Sequence, residues 1–515
     1  MTDMEPTGSP EASIDLLGAD DPSDSGARPP VPTAADLLGP DRPAAPRRAA
    51  VSGATGFVGT NLITHLASSG IDVTAIVRRP GSVEAAEHID VAIADVTDTS
   101  ALTDALRGSD VAYYLVHAMA GGEGFVDRDR ALATSFATAA AAAGVRRIIY
   151  LGGLGRGDLS THLASRQEVG QVLASTGLEV VELRAAVVLG AGSISFEMVR
   201  YLTERLPAMV CPRWVNTPTQ PIALSDLLAY LTEAATVPVG IYEVGCTDAT
   251  TYRQMMDTYA AVRGLRRRLV VKVPLLTPAL SAHWVDLVTP VDSIVSHALI
   301  DSLGYDTTVI DPTTTAAAFS VRPLSVARAI AAALDEQDAA ITATLFDRRH
   351  GLQDGVYTDR SAAKVRRRGM AADGSVAGLA ADLDDAGGRL SWYGLPFAWL
   401  ARIVLGHLFG EDLRLGRPTH VEVGSNVDWW TVEAREPDLI VLRSRGWFCG
   451  EAWLGFRAAP SGAPAIEQVG ALRTKGVLGM AYWWALWPIH LVAFRAMVRH
   501  RRRRARTMAR RMRAS

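Results

Sequence analysis

Three glycines spaced three residues apart form a pattern that could hold the phosphates of a nucleotide. The pattern spans 53–59, between an apolar stretch at 49–51 and an amphipathic one at 61–67, which predicts a strand–turn–helix junction. There the first glycine makes the tight turn, the second admits the phosphates, and the third lets the helix pack on the strand. A ligand-free glycine turn is the alternative, which this context disfavours. The predicted dinucleotide-binding residues are Gly53, Thr55, Gly56, Phe57, Val58 and Gly59.

Residues at the ends of the next predicted strands indicate which dinucleotide the loop would bind. The second strand ends at Arg78 and Arg79, where an acid would bind the ribose 2′-hydroxyl of NAD and arginine accommodates a 2′-phosphate. No acid follows this strand before Glu84, so we expect NADP rather than NAD. Two solvated arginines with no effect on cofactor choice are the alternative. Further predicted cofactor contacts are Asp95 and Val96 at the adenine and His117 beneath the nicotinamide ribose.

Short apolar runs alternate with helical patterns from residue 49 onward. The predicted strands are 73–77, 91–94, 111–116, 147–151 and 180–188, and the predicted helices are 61–69, 100–107, 124–143 and 164–175. Near-continuous apolar strands separated by helices are typical of a parallel sheet covered on both faces. We therefore expect an α/β fold, a doubly wound parallel Rossmann sheet, with a small substrate subdomain at about 191–345.

These motifs together resemble those of the atypical, extended short-chain dehydrogenases/reductases. The matching residues are the loop from Ser52 to Gly59, the pair Arg78 and Arg79, Asp95 with Val96, and the run from Tyr150 to Gly155. The segments 219–226 and 241–246 are also similar to segments of the family's substrate domain. The resemblance covers about 48–340 and includes NmrA-like sensors and nucleoside-diphosphate-sugar-epimerase-like proteins. It implies NAD(P) binding and oxidoreductase or isomerase chemistry.

The catalytic residues that this resemblance implies are replaced in the chain. The family uses a tyrosine as general acid/base and a lysine four residues later, which lowers the tyrosine pKa and holds the nicotinamide ribose. The corresponding positions hold His162 and Arg166, and no lysine occurs between residues 1 and 271. In one interpretation His162 is the acid/base and Arg166 a fixed cation on the ribose or phosphate. In the other, both lie on a helix surface with Arg166 near Glu168, and the domain binds dinucleotide without turnover.

Neighbouring positions do not restore the missing groups. The serine usual after strand five is replaced by Gly152 or Gly153. Tyrosines at 113, 114 and 150 fall within predicted strands, so we expect them to be core residues.

Length and composition limit the number of domains and the class of protein. Its 515 residues are enough for two or three domains, and 48% hydrophobic with 21% charged residues is typical of a folded protein. The three cysteines, Cys211, Cys246 and Cys449, are far apart. This spacing argues against a disulfide framework or a metal site and favours a reducing, cytoplasmic compartment.

Composition also predicts the domain boundaries. Residues 1–47 are rich in Pro, Asp, Ser, Gly and Ala without a hydrophobic period, so we expect disorder there. The segments that follow are a reductase-like domain at 48–345, a linker at 346–389, a second domain at 390–498 and an Arg-rich tail at 499–515. The tail has nine arginines and no acid, which favours an anionic partner surface or a solvated end. No specific nucleic-acid partner is expected.

Residues 390–498 resemble the uncharacterised C-terminal domain often fused to such reductases, which is similar to a START/polyketide-cyclase helix-grip fold. The matching segments are 427–433, 446–456 and 476–490. The resemblance implies an α+β domain with an apolar small molecule or lipid between a curved sheet and a long C-terminal helix. The uncharged segment 476–494 is also long enough to span a membrane. The segment could thus be a buried helix, an interfacial anchor or a transmembrane span. In the membrane-associated alternatives, residues 476–515 would contact the membrane surface.

The sequence thus favours an NADP-dependent oxidoreductase or isomerase that acts on an apolar small molecule with non-standard catalytic residues. A non-catalytic NADP(H)-binding sensor or scaffold is one alternative. A lipid-binding peripheral membrane protein is the other.

Overall fold

The computed structural model describes residues 44–117 and 124–344, apart from gaps at 158, 206–207, 212, 266–268 and 273–301. Beyond residue 344 it describes 355–358, 364–371, most of 420–474 and scattered positions from 404 to 507. The predicted disorder of 1–47 therefore falls almost entirely outside the described residues.

The first part of the chain alternates strands and helices as the sequence predicts. Its elements are β1 (Arg48–Ser52), α1 (Phe57–Ser68), β2 (Asp72–Val77), β3 (Ile89–Ile93), α2 (Thr99–Leu106), β4 (Val111–Tyr114), α3 (Phe125–Ala143), β5 (Arg147–Gly153), α4 (Thr161–Ala174) and β6 (Glu179–Ala185).

The middle part has shorter strands between longer helices. Its elements are β7 (Val188–Leu189), α5 (Ile194–Arg205), β8 (Ala208–Cys211), a 3₁₀ turn (Arg213–Asn216), β9 (Pro218–Thr219), β10 (Ile222–Ala223), α6 (Leu224–Glu233), β11 (Gly240–Val244), β12 (Thr250–Thr251), α7 (Tyr252–Val262), β13 (Leu269–Lys272), α8 (Pro312–Ala318) and α9 (Val326–Thr344).

A seven-stranded parallel sheet forms the centre of the first domain, in the order β11-β6-β5-β4-β1-β2-β3. Successive strand residues point to opposite faces, so Tyr113 packs in the core with α1 and α6, and Tyr114 in the core with α2 and α3. Both tyrosines and Tyr150 are fully buried, as expected of core strand residues. The predicted doubly wound Rossmann sheet is confirmed.

One predicted strand end within this domain was wrong. The predicted strand 180–188 ends at Ala185, and the following β7 pairs with β10 outside the main sheet. The predicted subdomain bounds of 191–345 stay a prediction; within them, β11 extends the Rossmann sheet beside β6, and α6 packs on its core. The chain thus returns to the first sheet in a way that local patterns do not reveal. A further core joins α5, α7 and α9.

The C-terminal part is a separate antiparallel sheet of seven strands. Its strands are β14 (Gly355–Thr358), β15 (Lys364–Ala371), β16 (Asn426–Val427), β17 (Trp430–Glu436), β18 (Leu439–Gly446), β19 (Gly450–Ala458) and β20 (Ala465–Thr474), in the order β14-β15-β20-β19-β18-β17-β16. This sheet confirms a second domain but corrects the predicted linker 346–389. Consecutive arginines at 366–368 hide the strand pattern of β15, whose whole length pairs with β20.

The two faces of this sheet have different neighbours. One face packs Leu442 and Phe456 against Met497, which lies among the helical positions described between 481 and 507. The other face carries Trp453 and packs toward α7 and α9 of the first domain. Most of 476–498 lies outside the described residues. Within the residues that are described, no helix has the length and apolar character needed to cross a membrane.

A buried set of charges, here called the interdomain ionic cluster, links the two domains. Its members are Arg263 on α7's C-terminal side, Asp338 on α9, Arg443 on β18, Glu451 on β19 and Arg473 on β20. Arg263 Nη2 lies 3.0 Å from Asp338 Oδ1, and Arg473 Nη1 lies 3.1 Å from Glu451 Oε2. Because these side chains are largely withdrawn from water, each charge depends on its partners.

Candidate functional site

The glycine loop has the geometry that a phosphate-binding turn requires. Gly53 has φ +73°, which favours glycine, and a Cβ there would lie 2.7 Å from the Leu115 carbonyl oxygen. A Cβ on Gly59 would lie 2.1 Å from the Gly53 oxygen, so glycine sets the close approach of α1 to β1. Gly56 precedes α1, and no side chain caps the helix. The first-turn amides are therefore available to an anion.

The predicted adenine-side residues follow β2 and β3, and β2 lies beside β1, which leads into the loop. Arg78 and Arg79 are exposed. Asp95 accepts hydrogen bonds from Thr97 N at 2.9 Å and Thr97 Oγ1 at 2.7 Å, which lower the pKa of Asp95, with a further contribution from Arg78. Val96 is buried in the core, so its side chain does not face solvent. The cofactor roles predicted for these four residues stay predictions.

One cavity brings together the glycine loop and both predicted catalytic residues. Its volume is about 420 Å³, and its lining includes Gly53, Gly56 and Gly59 together with His117, His162 and Arg166. His162 and Arg166 lie on α4, one turn apart, and His117 follows β4. The interpretation of His162 and Arg166 as surface residues is therefore wrong in its geometry, since both side chains are half-buried at the cavity wall.

The guanidinium of Arg166 is held against β5. Its Nη2 donates to the Leu151 carbonyl oxygen at 2.6 Å, while its Nε is buried without a hydrogen-bond partner. A Cβ on Gly153 would lie 3.2 Å from Arg166 Cδ, so glycine at this position leaves room for the arginine side chain. Glu168, the predicted neighbour of Arg166, pairs instead with Arg130.

The two histidines of the cavity are neutral at physiological pH. Burial, together with the charge of Arg166, lowers the pKa of His162 to about 4. Burial also lowers the pKa of His117 well below its ordinary range, with contributions from Arg166 and His162. Neutral imidazole can still donate one hydrogen bond and accept another. In this environment neither histidine is protonated near pH 7, so neither is suited to act as a general acid.

Sequence reasoning missed several polar residues of the cavity because they follow no motif. They are Ser195, Tyr252, Ser302, Tyr305 and Thr307, and Thr219, whose segment was noted only by resemblance, lines the cavity as well. Thr307 Oγ1 donates to Thr219 Oγ1 at 2.8 Å, which joins two segments 88 residues apart. Only the tertiary fold brings these segments to the glycine loop.

Most of the remaining lining is aliphatic. It comprises Leu115, Leu151, Leu154, Leu163, Ala185, Ala186, Val187, Val188, Ile194 and Leu303. A mainly apolar wall with a few polar groups is typical of small-molecule sites. Among the residues that the structure describes, no group of three or more His, Cys, Asp or Glu side chains is arranged to hold a metal ion.

Two family models match separate parts of the chain. Residues 53–191 match one described as NAD(P)H-binding, and residues 351–497 match one described as a protein of unknown function (DUF2867). The first match covers the glycine loop and β2 to β7, which supports NAD(P) binding by the first domain. The second match begins before β14, in agreement with the corrected domain boundary. The START-like character of the second domain stays a prediction.

Individual proteins also match parts of the chain. Rv2047c of Mycobacterium tuberculosis and Mb2073c of Mycobacterium bovis, both uncharacterized, are 30% identical over 170 residues, which are 33% of this chain and 18% of each relative. WbmG of Bordetella bronchiseptica, solved with NAD and UDP, is 18% identical over 57% of this chain and 95% of its own, with a TM-score of 0.46. The NADPH-dependent quinone oxidoreductase QOR2 of Escherichia coli, with NADPH, is 22% identical over 55% and 98%, with a TM-score of 0.44.

Proposed function

We propose that this chain is an NADP(H)-dependent oxidoreductase that acts on an apolar small molecule. The observation that carries the proposal is the single cavity shared by the glycine loop, His162 and Arg166. The dinucleotide would meet the loop at one end of this cavity, and the aliphatic walls would receive the substrate. An isomerase that uses the cofactor transiently would need the same arrangement.

The choice of NADP rests on the end of β2. Arg78 and Arg79 are exposed there, and neither is committed to an ion pair among the described residues. Guanidinium groups bind phosphate through two parallel hydrogen bonds, whereas a ribose 2′-hydroxyl prefers a carboxylate at this place. The nearest acid after the strand is Glu84, five residues beyond Arg79.

The cavity residues fit a bound nicotinamide dinucleotide. Gly53 and Gly59 let the loop turn tightly before the uncapped first turn of α1, and Arg166 lines the same cavity. When bound, NADPH would supply a hydride. Arg166 would act as the fixed cation that the family's lysine provides, and neutral His162 would hydrogen-bond a substrate or ribose oxygen.

A non-catalytic NADP(H)-binding sensor is the second candidate, and one observation favours it. With a pKa of about 4, His162 is neutral at pH 7 and lacks the acidic imidazolium proton that a general acid would transfer. If no other group supplies the proton, the cavity would hold the cofactor without turning it over.

Calorimetric titration with NADPH, NADP, NADH and NAD tests the proposal. We expect binding with a clear preference for the phosphorylated pair, and absence of binding to all four would refute both candidates. His162→Ala then separates them: turnover of NADPH with an apolar quinone such as menadione should fall for the oxidoreductase. For the sensor, wild type and variant should bind NADPH alike and neither should consume it.

A further inference from the structure

We propose that Tyr305 is the proton donor of the cavity, in place of the tyrosine missing from position 162. This inference rests on the proposed function, since it assigns a role within the same site. Tyr305 lines the cavity with the glycine loop and Arg166, and it is half-buried. Its hydroxyl has no hydrogen-bond partner among the described residues, so the phenol is available to a ligand.

The backbone around Tyr305 is fixed against the helix that carries His162 and Arg166. The hydroxyls of Ser302 and Ser160 lie 3.1 Å apart, and Ser160 caps α4 by accepting from Leu163 N. On the other side, Thr307 N donates to the Pro218 oxygen at 3.2 Å. Tyr305 is therefore held on a segment tied down at both ends, which suits a side chain that must meet a substrate in a defined position.

The other proton carriers of the cavity wall are unsuited to this task. His117 and His162 are neutral, because burial and Arg166 disfavour their charged forms. Burial raises the pKa of Tyr252 far above its ordinary range, and this tyrosine is already engaged in other interactions. The remaining hydroxyls belong to serine and threonine, which are much weaker acids than phenol.

The proposed step balances for reduction of a carbonyl or quinone. When bound, NADPH would supply the hydride, with loss of a nicotinamide C–H bond and formation of NADP⁺, to a carbonyl carbon or to a quinone. The Tyr305 O–H bond would break as its proton forms an O–H bond with the substrate oxygen. The phenolate that remains lies in the same cavity as the guanidinium of Arg166, which favours the negative charge. Solvent returns the proton for the next cycle.

Ultraviolet titration of phenolate absorbance tests the assignment without relying on turnover. Tyr305→Phe should lack one tyrosine ionisation that wild type shows, and saturating NADP⁺ should move that ionisation to lower pH by about one unit, since the cationic nicotinamide stabilises a nearby phenolate. Tyr230→Phe is the matched control, because its phenol is buried in the core outside the cavity, and it should keep the ionisation and its shift.

Turnover and binding supply the second readout. With NADPH and menadione, Tyr305→Phe should lower kcat by about 100-fold while the Kd for NADPH stays within about twofold. An ionisation that NADP⁺ does not move, or full activity of Tyr305→Phe, would overturn the inference while leaving the proposed function intact. Failure of wild type to bind NADPH or NADP⁺ would instead overturn the proposed function and this inference with it.

Discussion

Asp338 and Arg473 connect the two domains through an ion pair with an Nη1–Oδ1 distance of 2.5 Å. They lie 135 residues apart in sequence, on α9 and β20, and both side chains are less than a tenth exposed. The Asp338 carboxylate also forms ion pairs with Arg263 and Arg443. The Asp338 carboxylate therefore balances part of the positive charge of three arginines between the two domains.

Replacing this carboxylate should weaken the folded protein strongly. Asp338→Asn keeps the shape of the side chain but removes one of the carboxylates that balance Arg263, Arg443 and Arg473. Among the described residues, Glu451 and Glu433 remain as their partners. Breaking a buried ion pair from one side costs about 3 to 5 kcal/mol. Urea denaturation should show a loss of that size in the free energy of unfolding.

The matched control for this loss is Asp104→Asn. Asp104 pairs with Arg107 on the surface of the first domain, where both side chains are about 70% exposed. Exposed pairs contribute little because water screens them. Equal effects of the two substitutions would contradict a central role for Asp338.

The interdomain ionic cluster should make the free energy of unfolding fall at acidic pH. Burial alone would raise the pKa of Asp338, but the hydrogen bond from Arg263 and the charges of Arg473 and Arg443 outweigh it and hold the pKa well below the ordinary range. A carboxyl with a depressed folded-state pKa stabilises the protein above its unfolded pKa of about 4 and loses that contribution as the pH falls further. The urea midpoint should therefore drop below pH 4 more steeply for wild type than for Asp338→Asn. Parallel curves would count against this linkage.

The sequence predicted those parts of the protein that local patterns encode. Apolar runs and glycine spacing were enough for β1 to β6 and the phosphate loop. The β15 strand was missed because its arginines at 366–368 mimic a polar linker, and only pairing with β20 makes it a strand. Tyr305 was missed for a related reason: no local motif surrounds it, and long-range contacts such as Ser160 with Ser302 bring it to the cavity.

Enlarging Gly153 should displace Arg166 and weaken cofactor binding. The added Cβ of Gly153→Ala would lie 3.0 Å from Leu163 Cδ2 and 3.2 Å from Arg166 Cδ, so both side chains must move slightly, which we expect to weaken the Arg166 hydrogen bond to the Leu151 oxygen. Overpacking of this kind costs about 1 to 3 kcal/mol of stability. Calorimetry should show weaker NADPH binding by roughly 10-fold, the equivalent of about 1.4 kcal/mol.

A double-mutant cycle identifies the cause of that effect. Arg166→Ala removes the side chain that the new methyl group would contact. Gly153→Ala should therefore lower NADPH affinity less in the Arg166→Ala background than in wild type. Gly240→Ala is the control, because a Cβ there meets only ordinary contacts at 3.6 Å. Strict additivity of the Gly153 and Arg166 changes would show that the two positions are not coupled.

Removing the arginines after β2 should change cofactor preference without damaging the site. In a double variant of Arg78→Ala and Arg79→Ala, the 2′-phosphate loses charge-assisted hydrogen bonds worth about 1.5 to 3 kcal/mol. Calorimetry should show NADPH affinity falling by roughly 10- to 100-fold while NADH affinity stays the same. Arg107→Ala, at another exposed arginine of the same domain, should alter neither. If the double variant lost NADH and NADPH binding equally, the arginines would serve the loop or the fold, and the choice of NADP would need another explanation.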